Sequence, residues 1–179
     1  VDETYYGGKG GPGSGGRSLA NKNKVLIAMA VERKLAPEKK MPGIKKSGFV
    51  AGNAKVAMIP SASSQSLETF LEASLEPGAN MITDGWGGYN GPGEDFQHEA
   101  VVLGNPKNAG EVLPLVHLNF NNLKSFIRGT FHGVSPKHLP AYLNEWNYRF
   151  NRRFLISDLF KHLLKRVTIS APVTYKEIR

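Results

Sequence analysis

The stretch KVLIAMAVER, residues 24–33, decides the fold, because it is a continuous apolar run that ends in charge. Such a run predicts a strand buried inside a sheet. Shorter apolar segments flank it at residues 1–6 and at residues 54–59. The glycine-rich residues 7–16 and the Lys-, Pro- and Gly-rich residues 34–52 separate the three segments. We therefore expect a meander of three strands joined by these two connections.

Helical periodicity and two further strands follow the meander. Residues 67–75 carry one apolar stripe and predict a helix, with Ser64 or Ser66 as its N-terminal cap. Short strands are predicted at residues 80–83 and 98–103. Further helices are predicted at residues 115–127, at residues 135–151 with Ser135-Pro136 as the start, and in the tail at residues 154–164. Strands that first meander and then alternate with helices predict an α/β fold, a mixed sheet flanked by helices.

The composition predicts a globular domain with a polyanionic partner. The chain has 179 residues, 40 % of them apolar, which is enough for one domain with a core. It has no apolar run of roughly eighteen residues that would predict a membrane span. It has no cysteine, which excludes disulfides and cysteine zinc sites in this segment. Lys and Arg number 23 against 15 Asp and Glu, and this net charge of +8 favours nucleic acid.

Asp2 and Asp84 each lie at a predicted strand end. Strands that are distant in sequence can be neighbours in a mixed sheet, so the two carboxylates can converge. Such a pair can share oxygen-preferring cations such as Mg²⁺, and two metal ions can promote phosphodiester cleavage. Spacing alone favours the plainer interpretation, in which each Asp is a turn residue, since Asp-Gly is a common turn dipeptide.

Five segments then stand in order along the chain: VDETYYGGK, KVLIAMAVER, ITDGWGGY, LPLVHLNFNNLKSFIRGTFHGVSPKHL and YLNEWNYRFNRR. They resemble the successive signatures of the ISXO-type bacterial insertion-sequence transposases, a branch of the DDE superfamily. The resemblance implies a ribonuclease H-like catalytic domain at residues 1–153 and a C-terminal helical tail at residues 154–179. It also implies a missing N-terminal segment with a zinc ribbon and a helical DNA-binding unit, consistent with a chain that starts without Met and shows no signal peptide.

The resemblance assigns the site residues as well. Asp2 occupies the first acidic position and Asp84 the second, so both are expected to be catalytic and to bind Mg²⁺ or Mn²⁺, as two ions. The third position, often Glu in the superfamily, falls at Asn122, 38 residues after Asp84, and Asn is a familiar variant in this branch. Asn122 offers a metal a neutral carbonyl oxygen, which binds more weakly than a carboxylate. Asn121 is an alternative for the inward-pointing residue, and Glu145 is ranked lower.

Basic residues near these positions are the candidate DNA contacts. Superfamily members often carry a basic residue about two helical turns after the third position, where it contacts a phosphate. Arg128 lies nearest that place, and Lys124 and Lys137 are its rivals. The predicted DNA-binding residues are Lys124, Arg128, Lys137, Arg149, Arg152 and Arg153. A solvated basic helix face is the alternative for each of them, and a second basic patch at residues 39–46 has no assigned role.

Three further side chains stand close to the predicted site. His117, five residues before Asn122, could bind metal or act as a base, but a histidine bonded to backbone at the helix start is favoured. Trp86 and Tyr89 follow Asp84 and could stack on a base or sugar. A core position is favoured for Trp86, and Tyr89 is left open.

These inferences lead to one hypothesis and two alternatives. The leading hypothesis is the catalytic domain of a transposase that cuts the ends of an insertion sequence and joins them to target DNA. Its partner is double-stranded DNA, on which it is expected to form a homo-oligomer, and it is expected in the bacterial cytoplasm at the nucleoid, with no membrane. A catalytically silent DNA-binding remnant and a nuclease of the same fold are the alternatives.

Overall fold

The computed structural model describes residues 1–7, 24–36, 48–91, 95–102 and 113–175. The glycine-rich connection after Gly7, the basic patch at residues 39–46 and the predicted loop at residues 105–110 lie outside this part of the chain. The described residues form a mixed α/β fold, with two sets of strands and helices packed against them. The predicted fold class is therefore confirmed at this level.

The larger set is an antiparallel sheet of three strands in the order β1–β2–β3. The strands are β1 (Asp2–Gly7), β2 (Lys24–Leu35) and β3 (Phe49–Ile59). Asp2 pairs with Met29, and Leu26 pairs with Ile59. β2 and β3 are longer than predicted, because backbone pairing continues beyond the buried residues into an arm where β2 is exposed and charged. Part of the segment predicted as a loop is therefore strand.

β2 lies between two apolar cores, because successive side chains of a strand point to opposite faces. Ile27 and Met29 pack in the core on one face, and Leu26 and Ala28 pack in the core on the other. All four side chains are buried. This double burial explains why residues 24–33 are apolar without alternation, and it confirms the predicted buried strand.

The smaller set consists of two parallel strands, β4 (Asn80–Thr83) and β5 (Gln97–Ala100). A short 3-10 turn, Gly87–Tyr89, follows β4. The amino nitrogen of Val1 donates a hydrogen bond to the carbonyl oxygen of Ile82 at 2.6 Å. The start of β1 therefore lies beside β4, although the described strands form separate sets of three and two.

Helices cover both faces of β2. On one face, α1 (Ser64–Ser74) buries Leu67, Phe70 and Leu71. Its cap is Ser63, whose side chain accepts a hydrogen bond from the amide of Ser66, so the predicted caps were wrong by one residue or more. On the other face lie α2 (Pro114–Phe131) and α3 (Leu139–Asn151), which supply most of the second core.

The C-terminal helices begin later than the sequence predicted. Residues 135–138 form a turn in which the amide of Leu139 donates to the carbonyl oxygen of Ser135, and α3 begins only after it. Pro140, not Pro136, is the proline of the first helical turn. The tail helix α4 is Leu159–Ile169, and none of its residues is buried.

Candidate active site

Asp2 is the first residue of β1, and its carboxylate is buried at the face of the sheet covered by α2. Its side chain is 9 % exposed. One oxygen, Oδ1, accepts a hydrogen bond from the amide of Glu3 at 2.8 Å. The other, Oδ2, lies 3.7 Å from Nε2 of His117. Burial raises the pKa of Asp2, and the nearby charge of Asp84 raises it further, while the Glu3 amide and His117 oppose the shift.

Asp84 lies directly after β4, at the start of a tight turn. Its Oδ1 accepts a hydrogen bond from the amide of Trp86 at 3.1 Å. Gly85 has a φ of 76°, and a Cβ at this position would lie 2.9 Å from the side chain of Val102. The turn therefore requires glycine after the aspartate. Val1, which precedes Asp2, donates to the carbonyl oxygen of Ile82, two residues before Asp84, so the structure brings the start of β1 and the end of β4 together with their two predicted acids.

Two side-chain hydrogen bonds hold the turn after Asp84 in place. Nε1 of Trp86 donates to the carbonyl oxygen of Ala62 at 2.9 Å, and the phenol of Tyr89 donates to Oε2 of Glu3 at 2.7 Å. Trp86 is 37 % exposed, whereas Tyr89 is fully buried. The prediction of a core position for Trp86 was therefore wrong, and Tyr89 is the core residue. Glu3, which the sequence analysis did not single out, ties this turn to β1.

One face of α2 points toward β1 and Asp2. His117 lies on this face, and Lys124, seven residues later, donates from Nζ to Oγ1 of Thr4 at 2.7 Å. Residues seven apart lie on the same side of a helix. Burial and the neighbouring charge of Arg128 lower the pKa of Lys124, and Asp2 opposes this shift. The sequence favoured a His117 side chain bonded to backbone. The structure instead places its imidazole beside the carboxylate of Asp2.

Asn122 lies elsewhere on α2. It follows His117 by five residues, which corresponds to about 140° around the helix axis. It is exposed, and its Oδ1 accepts a hydrogen bond from Nε1 of Trp146 on α3 at 3.2 Å. The structure thus directs the amide oxygen of Asn122 toward α3. Glu145, the lower-ranked candidate, forms an ion pair with Arg149 at 2.7 Å.

Comparison with known families gives one match. The family described as the ISXO2-like transposase domain matches residues 1–151 of the chain. The chain belongs to this family. The match confirms the resemblance that the ordered motifs indicated, and it makes the chain a transposase-family, DNA-processing domain. Comparisons with curated proteins and with solved structures gave no match.

The basic residues of this ISXO2-like domain differ in their surroundings. Arg153 donates to the carbonyl oxygens of Ala51 and Gly52 on β3, and burial lowers its pKa. Arg152 lies over the ring of Tyr148, 4.0 Å from its centroid. Those two guanidinium groups therefore make contacts within the fold, and their predicted role in DNA binding stays a prediction. The exposed candidates are Arg128, Lys137 and Arg149.

The acid pair of the ISXO2-like domain fits a divalent cation. Asp2 is buried and its charge is disfavoured by Asp84, and a cation between two carboxylates offsets such repulsion. Asp2 and Asp84 would hold the ion through their oxygens. Among the described residues no group of three His, Cys, Asp or Glu is already placed to hold a metal ion. In the same part of the chain, no helix is both long and apolar enough to cross a membrane.

Proposed function

We propose that this chain is the catalytic domain of a DDE-type transposase, which cuts insertion-sequence ends and transfers the freed strands to target DNA. One observation carries the proposal: Asp2 and Asp84, 82 positions apart, lie at adjacent strand ends with interacting charges. Family membership supplies the class of reaction, and the acid pair supplies a place where it can occur.

A ribonuclease H-like fold is part of the proposal. The bond between Val1 and Ile82 lies between the larger and the smaller set of strands. If the two sets continue into one sheet, its order is β3–β2–β1–β4–β5, antiparallel in the first three strands and parallel between the last two. Helices lie on both faces of β2. This arrangement supports the mixed, helix-flanked sheet that the resemblance implies.

In this proposal Asp2 and Asp84 bind Mg²⁺ or Mn²⁺, as two ions, through carboxylate oxygens. When bound, such ions supply an activated water for strand cleavage and stabilise the leaving oxygen. The buried position of Asp2 keeps competing water away from its oxygens, and the Glu3 amide holds one of them in place. Asn122 is the proposed third ligand, and its Oδ1 also accepts a hydrogen bond from Nε1 of Trp146.

Double-stranded DNA is the proposed partner, both as element end and as target. Lys124 lies on the face of α2 that carries His117, and Arg128 is one turn farther along the helix. A phosphate near the scissile bond would meet these two cations first. Lys137 and Arg149, both exposed, extend the basic surface. A homo-oligomer on DNA is expected, since two element ends must be cut and joined together.

A strand-cleavage assay tests the proposal. Supercoiled plasmid DNA is incubated with the chain and Mg²⁺ or Mn²⁺, and nicked and joined products are separated on a gel. We expect metal-dependent products that disappear in Asp84→Ala and persist in Asp158→Ala, a matched loss of an exposed carboxylate. Products that are nicked but never joined to a second DNA would favour the nuclease.

One observation favours the silent remnant as a second candidate. The described residues hold no completed group of three metal-binding side chains, and the amide of Asn122 points to α3. A chain that binds DNA in a gel-shift assay but gives no metal-dependent product, with Asp84→Ala indistinguishable from it, would establish the remnant.

A further inference from the structure

We propose that the indole of Trp86 is a stacking platform for an unpaired nucleobase beside the candidate active site. This inference rests on the proposed function, because it requires DNA as the partner. Trp86 follows Asp84 by two residues, and its amide donates to Oδ1 of that aspartate at 3.1 Å. Trp86 is 37 % exposed. Among the described residues before Arg152, no other Phe, Tyr or Trp is exposed.

The indole is fixed in place before any ligand binds. Its Nε1 donates to the carbonyl oxygen of Ala62 at 2.9 Å, and Ala62 directly precedes Ser63, the N-terminal cap of α1. A Cβ at position 88 would lie 2.7 Å from Nε1 of the indole. The ring therefore packs against Gly88 and depends on the glycine at that position. A ring that is already fixed loses little conformational entropy when a base stacks on it.

The exposed ring selects the kind of DNA that it can contact. An aromatic side chain stacks on the face of a base, and every base has such a face. Inside a duplex each base lies between two neighbours, and it can turn toward a protein ring only after leaving the stack. The ligand that fits Trp86 is therefore an unpaired base, with little preference among the four bases.

The surroundings of the acid pair support a DNA strand at this position. Nζ of Lys124 donates to Oγ1 of Thr4, two residues after Asp2, at 2.7 Å. Proteins bind single strands by such a combination, in which cations follow the phosphates and aromatic rings stack on the bases. A single exposed tryptophan is common on protein surfaces. Here its hydrogen bond to Ala62 uses only the N–H edge, so anchoring of the turn does not explain why the ring stays exposed.

DNA binding in the presence of a chelator tests the assignment on the whole chain, without turnover. Two labelled probes are compared by fluorescence anisotropy: a blunt duplex, and the same duplex with a short unpaired strand at one end. We expect Trp86→Ala to weaken binding of the unpaired-end probe by about tenfold, the effect of losing one stacked base, and binding of the blunt duplex by less than about twofold. Trp86→Phe should retain most of the affinity. Phe160→Ala, the matched control at an exposed aromatic residue of α4, should change neither probe.

Tryptophan emission provides a second measurement, which a loss of stability in Trp86→Ala does not affect. The chain has two tryptophans. The other one, Trp146, is buried and stacks on Phe150 with the ring centroids 4.8 Å apart. The unpaired-end probe should quench the emission of the unmodified chain, and the blunt duplex should leave it nearly constant. The quenching should vanish in Trp86→Phe, in which only Trp146 emits.

The other outcomes would overturn the assignment. If Trp86→Ala weakens binding of both probes equally, or if the unpaired end quenches no emission, the ring does not stack on an unpaired base. If Trp86→Ala changes the binding of neither probe, Trp86 is not a DNA contact, and the proposed function still stands on the acid pair. If the unmodified chain binds neither probe, DNA is not the partner, and the proposed function fails together with this inference.

Discussion

Replacing Tyr89 with Phe isolates the hydrogen bond that joins the turn after Asp84 to β1. The phenol of the fully buried Tyr89 donates to Oε2 of Glu3 at 2.7 Å. Burial and the Glu3 charge raise the pKa of Tyr89, so the phenol keeps its proton and remains a donor. Because Phe fills the same space, the substitution removes the hydrogen bond without opening a cavity.

The expected loss follows from the charge on the acceptor. A hydrogen bond to a charged group contributes about 1.5–3 kcal/mol to the free energy of unfolding. For a domain of this size, 1 kcal/mol corresponds to about 2–4 °C in melting temperature, so Tyr89→Phe should lower it by about 3–12 °C. Tyr175→Phe, which alters an exposed tyrosine, is the matched control and should change nothing measurable.

Urea denaturation of a double-mutant cycle provides the assay. The effects of Glu3→Gln and Tyr89→Phe should not add, because both substitutions act on the same hydrogen bond, and the coupling between the two positions should be about 1 kcal/mol or more. Amides of residues 85–89 should exchange with deuterium faster in Tyr89→Phe. A loss below about 0.5 kcal/mol, or additive effects of the two substitutions, would refute the reasoning.

Three further substitutions test other parts of the structure. Burial raises the pKa of Asp2 above its ordinary 3.8, so the charged form opposes folding at neutral pH and the penalty vanishes below that value. Asp2→Asn should therefore raise the melting temperature at pH 7 in a chelator, by an amount that shrinks toward pH 4; a gain independent of pH would contradict this. Arg149→Ala should change the free energy of unfolding by less than about 0.5 kcal/mol, because its pair with Glu145 is exposed. The same variant should reduce the salt slope of DNA binding by about one, and an unchanged slope removes Arg149 from the DNA contacts. Asn151→Ala should lower the free energy of unfolding in urea by about 2–4 kcal/mol, because both backbone groups of buried Ala54 lose their partner; a loss under about 1 kcal/mol would count against that role.

The local sequence pattern was sufficient to predict those strands and helices whose buried faces are marked by apolar residues. The apolar run of β2 predicted a buried strand, and the stripe of α1 predicted the buried residues Leu67, Phe70 and Leu71. The residues at which helices begin were harder to predict from the sequence. Pro136 and Pro140 are each compatible with a first helical turn, and the hydrogen bonds that Ser135 accepts decide between them.

The site depended on contacts that no local pattern contains. Trp86 and Tyr89 are equally plausible core residues in sequence, and the bond to Glu3, 86 positions away, accompanies the burial of Tyr89. Asn121 and Asn122 were likewise indistinguishable until the contact of Asn122 with Trp146 fixed its direction. The ordered motifs indicated Asp2 and Asp84 as candidates because such motifs reveal family membership. The spacing of the two residues alone does not reveal it.

The contacts at the end of α3 have a consequence for assembly. Asn151 donates to and accepts from the backbone of Ala54, and Arg153 donates to the carbonyl oxygens of Ala51 and Gly52. Along the described sheet, β3 is the outer strand, and unpaired groups on such a strand can recruit a strand from another molecule. Here the side chains of Asn151 and Arg153 occupy the backbone groups of Ala51, Gly52 and Ala54. A strand of another molecule is therefore kept from pairing with these three residues, and loss of Asn151 or Arg153 would expose their backbone groups to such pairing.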